Sequence, residues 1–101
     1  MVRHIIQWDH LEGLTPEQEQ HNAVAIKEAL ENLVGAIPGL IELKVYTKLL
    51  PTSNTAMILD STFESPEALK VYSDHPLHVK AATEVVRPHV RNRRCADFIF
   101  N

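Results

Sequence analysis

Two helix-start signals of the same kind constrain the fold of this chain. Residues 15–18 (TPEQ) and 65–67 (SPE) each supply a capping hydroxyl, a proline at the first helical position and a glutamate near the positive end of the helix dipole. In the first signal Gln18 completes a capping box with Thr15. Each signal follows a segment rich in strand-forming residues. The chain therefore passes from strand to helix twice.

Four segments are typical of strands because β-branched, aromatic and aliphatic residues dominate them and turn residues bound them. They are 2–11 (VRHIIQWDHL), 40–50 (LIELKVYTKLL), 56–63 (AMILDSTF) and 93–100 (RRCADFIF). In the second segment, we expect Ile41, Leu43 and Val45 to point to one face. The order β-α-β-β-α-β predicts an α+β, ferredoxin-like fold: an antiparallel four-stranded sheet with helices on one face.

The two helical regions differ in continuity. The first carries an apolar stripe and is predicted to end at Pro38-Gly39; the stripe is Ala23, Ile26, Leu30, Leu33, Val34 and Ile37. The second is predicted to break at Pro76, because the residue before a proline, His75, resists helical angles. Pro76 then opens a further helix, whose expected apolar stripe is Val79, Ala82, Thr83 and Val86.

Length and charge limit the class of protein. The 101 residues fit a single domain, 1–101, and a net charge of −3 argues against nucleic acid or an anionic membrane as partner. The single cysteine, Cys95, excludes an internal disulfide and is expected to be buried and inert. With no signal peptide or membrane-spanning stretch in the sequence, a cytoplasmic protein is the simplest expectation.

The sheet has a second face, away from the helices, and it too carries apolar residues. These include Ile58 and either Ile5 or Ile6. A monomer would leave them in water, whereas two sheets packed face to face would bury them. We therefore predict a homodimer with a closed or nearly closed barrel at its centre.

Several stretches together resemble the stress-responsive A/B barrel (Dabb) family of the dimeric α/β-barrel superfamily. They are the strand histidine in VRHII, IPGL, STFESPEALKVY, HPLHV and DFIF. The resemblance covers nearly the whole chain and is most specific over residues 63–79. It implies a dimeric α/β barrel with a role in stress response. Many bacterial members have no known reaction, one plant branch is a polyketide cyclase, and the superfamily includes cofactor-free monooxygenases.

His78 and Tyr72 are the candidate catalytic residues. His78 falls in the first turn after Pro76, where the helix dipole disfavours a charged imidazolium and leaves a neutral ring able to accept a proton. Tyr72 could donate a hydrogen bond to a developing enolate. In the plant cyclase branch of the family that this chain resembles, the residues matching His4, Tyr72 and His78 face the ligand.

The chain also departs from those cyclases at two ligand-facing positions. Met57 replaces a histidine and Leu30 replaces a tyrosine, so both polar groups are lost from the predicted pocket. With His4 and His75 these two residues form the candidate ligand-binding set. For His75 and His78 a structural role competes with the functional one: His75 can cap a helix and His78 can form a hydrogen bond within the fold.

No cofactor and no side-chain metal site are expected. His75 and His78 lack the third and fourth ligands that zinc requires. In some plant relatives magnesium binds backbone carbonyls, and the matching positions here are Val34, Ile37 and Leu40.

Two functional interpretations remain. The first is a homodimeric barrel protein without catalysis, with a small hydrophobic cavity between sheet and helices for a small molecule. The second is a cofactor-free enzyme, cyclase-like, isomerase-like or monooxygenase-like, that acts on a ketone-bearing substrate with His78 as general base and Tyr72 as hydrogen-bond donor. The replacements at Met57 and Leu30 favour the first.

Overall fold

A computed structural model describes all residues, 1–101. Its elements follow the predicted order. They are β1 (Val2–His10), α1 (Pro16–Glu31), β2 (Leu40–Tyr46), β3 (Met57–Phe63), α2 (Pro66–Asp74), α3 (Pro76–Ala81), a π-helical turn (Ala82–Val86), a 3-10 turn (Arg87–His89) and β4 (Val90–Ile99). None of the helices combines the length and the apolar character that crossing a membrane requires.

The four strands form one antiparallel sheet in the order β2-β3-β1-β4. The helices cover one face, where alternate residues of β1 (Val2, His4, Ile6 and Trp8) are buried. The predicted α+β, ferredoxin-like fold is therefore confirmed. The core lies between this face and α1, and strand β4 at the sheet edge remains largely exposed.

Both predicted helix starts are present. The Thr15 hydroxyl accepts a hydrogen bond from the Gln18 N–H at 3.1 Å, and the Gln18 side chain accepts one from the Thr15 N–H at 2.9 Å. The Ser65 hydroxyl accepts from the Ala68 N–H at 3.1 Å. These caps satisfy backbone donors that helices otherwise leave free.

The predicted end of α1 was wrong. The helix ends at Glu31 with Asn32 as its C-cap, because turns follow and Gly35 adopts a φ of +87° that no regular helix allows. Val34 falls in these turns and is exposed, so it does not continue the apolar stripe. Ile37 is nevertheless buried, because the turns fold the chain back onto the core.

Two expected apolar faces also differ in detail. A register shift between Leu40 and Glu42 turns Leu40 into the core in place of Ile41, which is 43% exposed. After Pro76, Val86 is buried as predicted, but Val79 and Thr83 are exposed and Ala81 is buried instead. The π-helical turn widens the helix there and changes which residues face the sheet.

The second face of the sheet carries a mixture of apolar and charged side chains. Strand alternation places Ile5 and Ile58 there, and assigns Ile6, which is 2% exposed, to the core. Arg3 lies 3.6 Å from the Asp60 carboxylate and stacks over the Phe100 ring at 4.7 Å. This face therefore carries apolar side chains next to the charged side chains of Arg3 and Asp60.

Candidate functional site

A cavity of about 450 Å³ lies between the helix-facing side of the sheet and the helices. Its size falls within the range of about 300–1,000 Å³ that is usual for small-molecule sites. Eight of its fourteen lining residues are hydrophobic. The lining residues are His4, Ile6, Trp8, Leu30, Leu59, Tyr72, His78, Ala82, Val86, Arg87, Val90, Arg91, Asn92 and Arg93.

Tyr72 projects from α2 into this cavity and is 1% exposed. Its ring packs edge-on against Phe63, with ring centroids 4.9 Å apart. Its hydroxyl forms no hydrogen bond with another protein group. Burial raises the pKa of the Tyr72 hydroxyl well above its ordinary value of 10.0, although the positive charge of Arg93 opposes the shift. Tyr72 therefore keeps its proton at neutral pH and can donate a hydrogen bond into the cavity.

His78 faces Tyr72 across the helix break. The His78 Nδ1 atom lies 3.2 Å from the Ser73 carbonyl oxygen, and because a carbonyl only accepts, Nδ1–H is the donor. In the neutral ring Nε2 is then free to accept a proton. Burial lowers the pKa of His78, and electrostatic repulsion by the nearby basic side chains of His4, Arg87 and Arg93 lowers it further, while the Ser73 hydrogen bond opposes these effects. A neutral His78 is therefore favoured.

His4 is held by an acid from the edge strand. Its Nδ1 atom lies 2.5 Å from Asp97 Oδ1, and β1 and β4 place these residues directly opposite each other. Since a carboxylate only accepts, His4 donates through Nδ1. The cross-strand register brings Asp97 to His4. This contact fixes the His4 ring at the wall of the cavity.

Cys95 completes a cluster with His4 and Asp97, and it is exposed rather than buried because the edge strand has no helix over it. Partial desolvation of its thiol and the neighbouring Asp97 carboxylate raise the pKa of Cys95, so it is a poor nucleophile. The three ligand atoms lie within 4.8 Å of one another and could together hold a metal ion, for which three side chains leave an open coordination position.

Only some of the other candidate residues line the cavity. Leu30 lines the cavity, whereas Met57 is fully buried in the core and does not reach the cavity. His75 caps α3, because its Nδ1 accepts a hydrogen bond from the Leu77 N–H at 3.1 Å. Of the proposed magnesium ligands, the Ile37 carbonyl accepts a hydrogen bond from Leu40 N–H at 3.3 Å. The magnesium site stays a prediction.

The cavity has a cationic rim that includes residues of β4. Arg91, Asn92 and Arg93 are consecutive and all line it, which a regular strand with alternating faces does not allow. A bulge explains this: Gln7 pairs with Arg94 and Asp9 with Arg91, so β4 has one residue more than β1 here. The sequence signal was the asparagine itself inside a strand segment, since asparagine tolerates the left-handed φ of +56° that Asn92 adopts.

Comparison with known proteins identifies one family. The family model described as "Stress responsive A/B Barrel Domain" matches residues 2–100. The comparison with curated proteins finds no match.

Solved structures share this fold over almost their whole length. A dimeric ferredoxin-like protein of unknown function from Bacteroides fragilis is 26% identical, with a TM-score of 0.89 over 98% of this chain and 95% of that chain. Another, from Thermobifida fusca, is 24% identical, with a TM-score of 0.81 over 98% and 90%. A hydroxynitrile lyase from Passiflora edulis is 23% identical, with a TM-score of 0.79 over 99% and 93%.

Proposed function

The chain belongs to the stress-responsive A/B barrel domain family, and we propose that it forms a homodimer in which each copy binds a small, largely apolar molecule in the cavity beneath α2 and α3. The environment of Tyr72 is the main support for this proposal. Its side chain is buried, it lines a cavity of about 450 Å³, and its hydroxyl has no protein partner. Because this hydroxyl makes no hydrogen bond within the chain, it is free to donate one to a carbonyl oxygen on a ligand.

Association of two copies is supported by two observations. The Bacteroides fragilis and Thermobifida fusca proteins of the same fold are dimeric. On the second face of the sheet, Tyr46 is 51% and Phe98 46% exposed, beside Ile5 and Ile58. A second copy placed on this face would bury those side chains. The cavity opens on the opposite side of the sheet, so dimerisation on this face leaves it available.

Trp8 provides a direct test of binding because it is the only tryptophan in the chain and lines the cavity. We expect 4-phenyl-2-butanone, an apolar ketone, to cause a saturable change in Trp8 fluorescence. Ala82→Phe would fill the cavity from the π-helical turn and abolish the change. Ala36→Phe, at an exposed position outside the cavity, is the matched control. Equal responses in the two variants, or no saturable response in the unmodified protein, would contradict the proposal.

Cofactor-free catalysis is the second candidate function, and the paired geometry of His78 and Tyr72 favours it. With Nδ1–H donating to Ser73, the Nε2 atom of His78 can remove the proton next to a ketone, while the Tyr72 hydroxyl donates to the resulting enolate oxygen. The proton returns from His78 to carbon, so no net oxidation or reduction occurs. This accounts for a cyclase-like or isomerase-like reaction without a cofactor.

Two assays test this second function. Exchange of the protons next to the carbonyl of 4-phenyl-2-butanone for deuterium, followed by NMR, reports general-base activity. Cleavage of a cyanohydrin such as mandelonitrile reports the reaction named for the Passiflora edulis relative: the base takes the hydroxyl proton, the carbon–cyanide bond breaks, and an aldehyde and hydrogen cyanide result. His78→Gln should abolish either activity and His21→Gln, on the exposed side of α1, should not. Binding without exchange or cleavage would leave only the first function.

A further inference from the structure

The cavity has two guanidinium groups at its rim that the chain itself does not neutralise. The salt bridges of the chain involve Arg3, His4, Lys27 and Arg91, and none involves Arg87 or Arg93. Both of these residues line the cavity and are exposed. In a chain with net charge −3, two unpaired cations at one opening are a local excess of positive charge.

The acids near this opening already have partners. Asp97 accepts from His4 Nδ1, and Asp9 accepts from the Asn92 side chain at 3.0 Å. Glu12 lies 3.6 Å from Arg91, whose Nε also donates to the His10 carbonyl at 3.0 Å. The neighbouring carboxylates are therefore directed to other groups. Arg93 also lies close to the Cys95 thiol, which is only a weak acceptor, so the charges of Arg87 and Arg93 remain available to a ligand.

The backbone conformation of β4 places one of these cations, Arg93, at the cavity. The bulge opposite Trp8 adds a residue to β4, and Asn92 takes the left-handed conformation there. Bulges of this kind redirect side chains next to functional sites. Arg93 is consequently placed where its charge acts on both Tyr72 and His78.

We infer that the ligand of this cavity is an amphipathic anion, with an apolar body against the cavity wall and a carboxylate at the rim between Arg87 and Arg93. This rests on the proposed ligand-binding function and specifies its ligand class. Arginine binds carboxylates through paired, charge-assisted hydrogen bonds, which makes it selective for them over neutral groups of similar shape. The Tyr72 hydroxyl then remains available to a carbonyl oxygen deeper in the cavity.

A matched pair of probes tests the inference: 4-phenylbutanoate and 4-phenylbutanamide, which differ chiefly in charge. Titrations followed by Trp8 fluorescence should give at least about tenfold tighter binding of the carboxylate, and the preference should weaken as salt is raised. Arg93→Gln and Arg87→Gln should each reduce the ratio, and the double variant should bring it near one. Arg94→Gln is the control, because Arg94 does not line this cavity.

The outcomes separate the two claims. Equal binding of both probes would overturn the anion inference while supporting the cavity as a ligand site. A carboxylate preference that survives the double substitution would also overturn it, since other residues would then select the ligand. If neither these probes nor 4-phenyl-2-butanone binds to a folded, unmodified protein, the proposed function fails and the inference fails with it.

Discussion

The ring of His78 lies against the ring of Tyr72, with centroids 4.1 Å apart, although the helix breaks between them. The break makes this contact, because Pro76 ends α2 and starts α3 in a new direction. His75 caps the new helix and Ser73 orients the His78 ring. The junction and the candidate site are therefore one structure, and the structural and functional roles of these residues do not exclude each other.

Tyr72→Phe should separate binding from stability. The substitution keeps the ring packed against Phe63 and removes a hydroxyl that makes no hydrogen bond within the chain, so we expect the free energy of unfolding to stay within about 1 kcal/mol of that of the unmodified protein. Affinity for 4-phenyl-2-butanone should fall by about five- to tenfold with the lost hydrogen bond. Urea unfolding and Trp8 fluorescence measure the two quantities. A large loss of stability with unchanged affinity would assign the hydroxyl a structural role.

His78 should make the protein less stable in mild acid. Burial lowers its pKa in the folded state below the ordinary value of 6.5, so the unfolded chain binds the proton more readily. The His78 contribution to the free energy of unfolding should therefore fall as the pH drops through 6.5, and level off below the folded pKa.

The measurement is the difference in free energy of unfolding between the unmodified protein and His78→Gln, between about pH 5 and about pH 8. As the pH falls, the free energy of unfolding of the unmodified protein should decrease relative to that of His78→Gln. His21→Gln, at an exposed position, serves as the comparison and should show a smaller dependence. A difference that is flat across this range would show that burial does not affect His78 in this way.

Gly39 should be the least replaceable glycine. It has a φ of +84°, and a Cβ there would lie 2.6 Å from the Ala68 Cβ on α2. Gly13 has a similar φ of +82° with no atom within 4 Å of such a Cβ. Gly13→Ala should cost about 1–2 kcal/mol from backbone strain alone, and Gly39→Ala clearly more because α2 must also shift. Equal losses in urea unfolding would mean that α2 moves away freely.

Ile58→Glu should prevent formation of the proposed homodimer. Ile58 lies on the second face of the sheet, opposite Tyr46 on β2, where a second copy would bury a new charge without a partner. Light scattering at micromolar concentration should then report a monomer. Val24→Glu is the control, since Val24 is 51% exposed on α1, on the other side of the molecule. A dimer that persists in Ile58→Glu would place the interface elsewhere.

The sequence predicted those features that depend on neighbouring residues. The caps at Thr15 and Ser65 and the break at Pro76 are local, and the fold class follows from the order of the elements. Strand pairing is not local: the register shifts at Leu40 and opposite Trp8 depend on the partner strand, and both change which side chains face the core or the cavity.

The candidate site likewise contains residues that are close in sequence and residues that only strand pairing brings together. Tyr72 and His78 lie close in sequence and could be associated from the motif. His4 and Asp97 lie at opposite ends of the chain and meet only because β1 and β4 are neighbours in the sheet. Met57 was predicted in the pocket from a resemblance alone, yet its side chain points into the core, where it is fully buried.

Native mass spectrometry of the purified protein, with and without 4-phenylbutanoate, tests the central claim most directly, because it counts subunits and bound molecules together. We expect a dimer that binds up to one ligand per subunit, and we expect Ala82→Phe to remain a dimer but to lose the ligand. A monomer, or a dimer that gives the same adducts with the cavity filled, would contradict the account.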